Sequence, residues 1–484
     1  MCPLEARGCD RLTDSTLGCR GVTLAQGLAR WAAELRFEDL PQVVVGSAGD
    51  RIVDTLAIAM AARTTDAARA VGAVVRAWGG RAEATLAGER TPSLPATAAA
   101  LYNGTCAHAL DFDDTHLPSI AHPSSSLVPA LLAQGQACGA AGPAIVTALV
   151  AGYEIYVRLA LAQYDVRERS SIFFEHGLHA TSIIGAVAGA AACAKLRGLD
   201  ADGVMHALAI ACSMGSGLIE ANRAGGSVKR MHCGWAAHGA IVAAELAANG
   251  LTGPPSVLEG RFGFFEAYCR ERWRPQAVLE DLGTRWETPR IFYKPYPCNH
   301  FTHAIVDAAL RLRARGVKAA DVERVRIGTA TASHRTIGSP IEQKRLPQSA
   351  YHAAFSAPFV FATAMVGGGG LGVGFEDFSE AALRDPQRRR LSERSDVVVD
   401  AACDAVFPEQ FPAVVTVWLH DGQEITERVM ANRGGSERPL TRDELLRKAE
   451  MTAGAASAHR LVAAAAALQS GGGDAAGLLA AAAV

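Results

Sequence analysis

The segment Ala180 to Leu196, ATSIIGAVAGAAACAKL, decides the fold. Its alanines and glycines gain little from side-chain burial, but small residues let helix backbones approach closely, so a helix at the centre of a bundle is expected. Helical periodicity surrounds it. From Val22 to Ala87 apolar residues recur at helical steps (Leu24, Leu28, Trp31, Leu35, then Val53, Leu56, Ala57, Ala61), punctuated by Pro41 and closed by Pro92 and Pro95. Ala96 to Leu110 reads as a further helix, and Leu127 to Ala162 as a helical hairpin turned at Gly139-Ala-Ala-Gly-Pro143. Asp202 to Leu218 and Trp235 to Asn249 continue the run up to the stop Leu251-Thr-Gly-Pro-Pro255.

After Tyr268 the texture changes. Val325, Ile327 and Thr329 alternate with Arg326 and Gly328, and Val415, Val417 and Leu419 alternate with Thr416 and Trp418. The second run turns at His420-Asp-Gly-Gln423 and returns through Ile425 to Val429, and a third strand is expected at Val397 to Ala401. Helices at Thr302 to Arg315 and Phe378 to Leu383 interleave with them, and Ala353 to Gly374 reads as a buried helix that breaks into a glycine loop. The fold class is therefore mainly α: a large all-helical domain with a smaller α+β domain. Thr441-Arg-Asp-Glu444 is a capping box that starts a helix expected to dock back on the first domain. From Ala464 the chain is Ala/Gly low complexity, expected as a loose or weakly helical end. The divisions expected are an N-terminal extension over 1–21, the helical domain over 22–272, the α+β domain over 273–432, the returning helix over 433–463 and the tail over 464–484.

At 484 residues the chain is long enough for about two domains. Net charge is −2 with a pI near 6.7 and scattered basic residues, so neither nucleic acid nor an anionic membrane is an expected partner, and a small molecule is. The eleven cysteines include no Cys-x-x-Cys pair, which fits reduced thiols. No apolar run near the N-terminus resembles a signal peptide, and a cytoplasmic location is expected.

Polar residues gather in three islands. The first, Asp111-Phe-Asp-Asp-Thr-His116 with His122-Pro-Ser-Ser-Ser126, places Asp111 and Thr115 on one face if the turn is helical, with His122 a short loop away. Asp113, Asp114 and His116 read as structural. The second, Arg223 to His232, offers Gly225 and Gly226 for close backbone approach and puts Lys229 and His232 on one helical face, an arrangement that suits a carboxylate. The third, Lys294-Pro-Tyr-Pro-Cys-Asn-His300, presents Lys294 from a segment stiffened by two prolines. His176 with His179 and His300 with His303 have ligand-like spacing but no His-Glu-x-x-His, so no metal is expected. The glycines at Gly225-Gly226 and Gly367 to Gly374 do not match Gly-x-x-x-x-Gly-Lys-Ser/Thr, so no nucleotide cofactor is expected.

In order, His108-Ala-Leu-Asp-Phe-Asp-Asp-Thr115 with His122-Pro-Ser124, Leu178-His179-Ala-Thr-Ser182, Lys229-Arg-Met-His232 and Tyr293-Lys-Pro-Tyr-Pro297 resemble the MmgE/PrpD family over about Leu24 to Lys448. That group includes 2-methylcitrate dehydratase, cis-aconitate decarboxylase and iminodisuccinate epimerase. The resemblance implies a cofactor-independent enzyme, a homodimer, and a pocket between the helical domain and an α+β lid. It also implies that Asp111, Thr115, His122, His179, Lys229 and Lys294 line the site, with His232 beside them. Lys229 and Lys294 would then hold carboxylates and stabilise a carbanion, while His179 and His122 divide the roles of base and acid. Asp111 would orient an imidazole, and Thr115 and His232 would meet substrate. Decarboxylases carry histidine where an ungapped match sets Asn299, which counts against decarboxylation unless His300 substitutes. Methylcitrate dehydratases usually read Asn-Asp-Thr at Asp113-Asp114-Thr115, so that branch is not a clean match either. A 2-methylcitrate-dehydratase-like hydro-lyase acting on a small polycarboxylate is the first expectation. Dicarboxylate epimerisation, cis-aconitate-type decarboxylation and a non-catalytic carboxylate-binding protein stay open beside it.

Overall fold

The structure, a computed structural model, describes residues 21–483; the expected N-terminal extension lies outside the described residues except for Gly21, and so do the side chains of Asn222 and Arg223. Among the described residues the long helices of the first domain are α1 Leu24–Glu34, α2 Gln42–Ala62, α3 Asp66–Trp78, α4 Ala96–His108, α5 Ser124–Cys138, α6 Gly142–Ala162, α7 Ala180–Leu196, α8 Ala201–Cys212 and α9 Val228–Ala248. The quoted small-residue segment is α7, and every residue in it except Lys195 is buried. Helices α5, α6, α8 and α9 pack around it. The approach is as close as the composition implies: a Cβ on Gly189 would stand 2.8 Å from the Cβ of Ala240 on α9. Helices α4 and α9 touch backbone to backbone, because a Cβ on Gly234 would lie 2.1 Å from the Leu101 carbonyl oxygen. Helix α6 is long and apolar enough to cross a membrane, yet 89% of its apolar window is buried inside this bundle.

Two helices end earlier than expected. The first helical run stops at Trp78, where Gly79 takes φ +63°. Helix α8 stops at Cys212 rather than Leu218, because Gly215 packs against α7 and Gly217, at φ +147°, passes its carbonyl to the His179 N–H at 2.9 Å. The chain therefore crosses the N-terminus of α7 instead of extending α8.

The second hydrophobic cluster runs from Tyr293 to Leu440. Its helices α10 His303–Ala314 and α11 Ala357–Val366 pack together beside four strands, β1 Val322–Thr329, β2 Ser395–Val399, β3 Ala413–Leu419 and β4 Glu424–Val429. The sheet order is β2-β1-β3-β4: β2 joins β1 in parallel with Val397 opposite Ile327, and β3 joins it antiparallel with Val415 opposite Ile327. The Asp-Gly hairpin forms as expected, pairing Thr416 with Thr426. Strand β2 ends before Asp400, whose side chain caps the next short helix.

The capping box forms at Thr441 and opens α12, Arg442–Ala453. It docks on α2, where the Lys448 ammonium meets Asp54 at 2.8 Å in a fully buried contact. The expected loose tail is instead two helices, α13 Ala455–Gln469 and α14 Ala475–Ala481, that bury Leu461, Leu468, Leu478 and Leu479 in the first core. Alanine is the strongest helix former and its small side chain packs closely, so low complexity here produces order.

Two glycines of α9 give a test of this close packing. Gly234→Ala, which meets the α4 backbone, is expected to lower unfolding free energy by about 3 kcal/mol or more, whereas Gly239→Ala, with only Met214 Cε at 3.9 Å, raises it by roughly 0.5–1 kcal/mol through helix propensity. Urea denaturation of both variants measures the contrast.

Candidate active site

Helix α4 ends at His108, and the chain turns through Asp111 at φ +51°, a left-handed conformation that Asp tolerates better than most residues. The turn is not helical, so Asp111 and Thr115 do not share a helical face. It points both the Asp111 carboxylate (3.0 Å) and the Asp111 carbonyl (2.8 Å) at the Lys294 ammonium. Asp111 therefore pairs with Lys294 rather than orienting an imidazole. Thr115 then exchanges backbone hydrogen bonds with Phe292 (2.9 and 2.7 Å), which fastens the first polar island to the third.

The residues read as structural do hold charge in the interior. Asp114 receives the Arg51 guanidinium at 2.9 Å, and His116 lies against Ser119 and Glu287. Asp113 does more: it grips His108 Nδ1 at 2.8 Å, both side chains buried. Burial works against a charged imidazole, but the Asp113 carboxylate outweighs it and pushes His108 up to about 10. Burial would raise Asp113 in turn, and the charge of His108 holds it well below the usual carboxylate range.

Three further imidazoles stand around this cation. The His108 ring centre is 5.7 Å from that of His122 and 5.5 Å from that of His179, and His179 is 5.1 Å from His232. Burial and then the Lys294 charge take His122 down to about 4. Burial and then the His108 charge take His232 to about 4 and hold His179 well below its ordinary value. At neutral pH one imidazolium thus sits among three neutral rings. His122 Nδ1 faces the Asp114 carbonyl at 2.8 Å and the Thr115 hydroxyl at 3.0 Å. A carbonyl only accepts, so Nδ1 carries the hydrogen and Nε2 keeps its lone pair. Thr115, fully buried, is a positioning residue for His122 rather than a contact for substrate.

His108 brings this cluster to a cavity of about 530 Å³ that is also lined by Asp111, Lys229, Arg230, Asn299 and aromatic residues of the second domain. Of the catalytic and binding residues expected from the sequence, Asp111 and Lys229 line it, as do Gly225, Gly226 and Asn299. Next to them are the buried rings of His179 and His232 and the partly buried ring of His122, which neighbour His108 directly or through one another, with Lys294 held by Asp111 and Thr115 by His122. No ion pair holds Lys229 or Arg230 among the described residues, and both open the N-terminus of α9, whose first amides have no side-chain cap. Cations at a helix N-terminus favour an anion, and the Lys229 charge already acts on the Asp111 carboxylate. His300 does not stand in for an imidazole at Asn299: it packs tilted against Phe292 at 4.1 Å and edge-on to Phe411 at 4.9 Å, and does not line the cavity. Sequence reasoning missed His108 as an ionised group. The available signal was its spacing to Asp113 across a helix end. Among the described residues no three metal-ligating side chains converge.

Comparison with known proteins gives a consistent result. Residues 26–276 match the model of the MmgE/PrpD N-terminal domain and residues 296–469 that of the MmgE/PrpD C-terminal domain. A cis-aconitate decarboxylase of Aspergillus terreus is 28% identical over 469 residues, covering 90% of both chains. That of Homo sapiens is 28% identical over 434 residues, 87% of this chain and 85% of its own, and that of Mus musculus 26% over 433 residues, 87% and 84%.

Removing Asp113 is the direct test of the ion pair. Asp113→Asn is expected to cost about 3–5 kcal/mol at pH 7 by urea denaturation, because it strands a buried imidazolium or forces it to deprotonate. His108 is raised from 6.5 to about 10, so its contribution is complete below about 6.5 and is lost as pH rises through about 10. The difference between wild type and variant should therefore shrink across that window.

Proposed function

The chain belongs to the MmgE/PrpD family, and from that premise we propose that it is a lyase acting on a small tricarboxylate, with decarboxylation of an unsaturated substrate as the first reading. The observation that carries it is the His108–Asp113 ion pair at a cavity that is also lined by the cations Lys229 and Arg230. Lys229 and Arg230 would bind substrate carboxylates, and the buried Lys294 adds positive potential behind Asp111. When the bond to the departing carboxylate breaks, its electron pair moves through the conjugated double bond toward a remaining carboxylate. His108 gives its proton to the resulting carbanion, carbon dioxide leaves, and solvent reprotonates the imidazole. The names and near full-length coverage of the relatives support decarboxylation over the dehydration favoured by sequence alone.

Dehydration is the second reading, and His122 favours it: a neutral ring with Nε2 unprotonated is a base, and His108 beside it is an acid for the departing hydroxyl. A homodimer and a cytoplasmic location belong to the same proposal.

Incubating the protein with cis-aconitate and with hydroxylated tricarboxylates in deuterated water, followed by proton NMR, separates the readings. Loss of carbon dioxide with deuterium on the product carbon is expected. Lys229→Ala should lower kcat/KM about 100-fold or more with the fold intact. Elimination of water alone moves the assignment to the second reading, and no turnover of any member of the panel overturns both.

A further inference from the structure

The cavity is divided by chemistry as well as by domain. One wall carries His108, Asp111, Lys229 and Arg230. The other comes from the second domain: Tyr351 and Phe355 on and after the short helix Ala350–Ala354, and Phe375 and Phe378 of the turn Phe375–Phe378. Aromatic rings elsewhere in this domain, such as Phe359 and Phe361, are buried, but Phe355 and Phe375 are only half-buried and Tyr351 is 44% exposed. They are held in place nonetheless. Phe375 meets Phe112 edge-on at 5.5 Å, and the Tyr351 and Phe355 rings lie 4.7 Å apart. A volume of about 530 Å³ falls within the roughly 300–1,000 Å³ of sites for drug-sized ligands, more room than a small tricarboxylate fills.

We propose that the preferred substrate is amphiphilic: a polycarboxylate bearing an alkyl or aryl arm, with its carboxylates on Lys229 and Arg230 and its arm on Tyr351, Phe355 and Phe375. This rests on the reading of the site as a polycarboxylate pocket. The arm is uncharged, because Glu376 stands at the same rim and repels a further carboxylate. Packed, half-uncovered rings bind apolar surface without rearranging, so each methylene laid against them tightens binding about fourfold.

The test uses ligands that bind but cannot react. Isothermal titration of the full chain with tricarballylate and with its butyl- and phenyl-substituted derivatives should give at least tenfold tighter binding for the substituted acids. Phe355→Ser, or the more exposed Tyr351→Ser should the first fail to fold, should reduce that ratio at least threefold. Equal or weaker binding of the substituted acids overturns the proposal and assigns the aromatic wall to closure over a small substrate. Failure of every derivative to bind also overturns it. Tighter binding without turnover of any unsaturated tricarboxylate would sustain this proposal while defeating the lyase reading.

Discussion

The buried ion pair between His108 and Asp113 is the constraint from which the rest of the site follows. An interior made of alanine, glycine, leucine and valine cannot hold a lone charge, so each charge in it brings a partner: Arg51 with Asp114, Lys294 with Asp111, Lys448 with Asp54. His108 is different because its charge is optional. Asp113 keeps it protonated, and once it is charged the neighbouring imidazoles of His179 and His232 are driven neutral by burial and by its field, while burial and the Lys294 charge do the same for His122. Burial, the Asp113 anion and the Lys294 cation together sort four chemically identical rings into an acid and three neutral partners. That separation is what proton transfer in either direction requires.

The scaffold holds this arrangement through close helix contact. Helices α4 and α9, which deliver His108 and Lys229, cross at Gly104 and Gly234, so the acid and the carboxylate-binding cation are carried by two backbones in direct contact. The backbone exchange between Thr115 and Phe292 then ties the first island to the segment bearing Lys294. Loosening either contact would move the charges relative to the cavity without altering any side chain in it.

Much of this was legible in the amino-acid sequence. The composition of Ala180 to Leu196 placed α7 at the centre, alternation at Val325 and Val415 marked the sheet, and the polar islands converge. What was not legible depends on long-range geometry. Asp111 leaves the helical path at a left-handed turn, which periodicity does not report, and so its partner is Lys294 and that of Asp113 is His108. Thr115 reads as a ligand contact until its hydroxyl is seen against His122. The C-terminal helices were hidden because alanine-rich sequence carries no amphipathic signal, although it helps close the bundle.

The central claim is that a single imidazole of this cluster is charged at neutral pH and that it is His108. Histidine-selective NMR titration, with rings assigned by single His→Gln variants, measures this directly. The account predicts that His108 stays doubly protonated up to about pH 10 while His122 and His232 protonate only near pH 4. A His108 that titrates near its ordinary value of 6.5, or a charge at pH 7 on His122 or His232 instead, would contradict it.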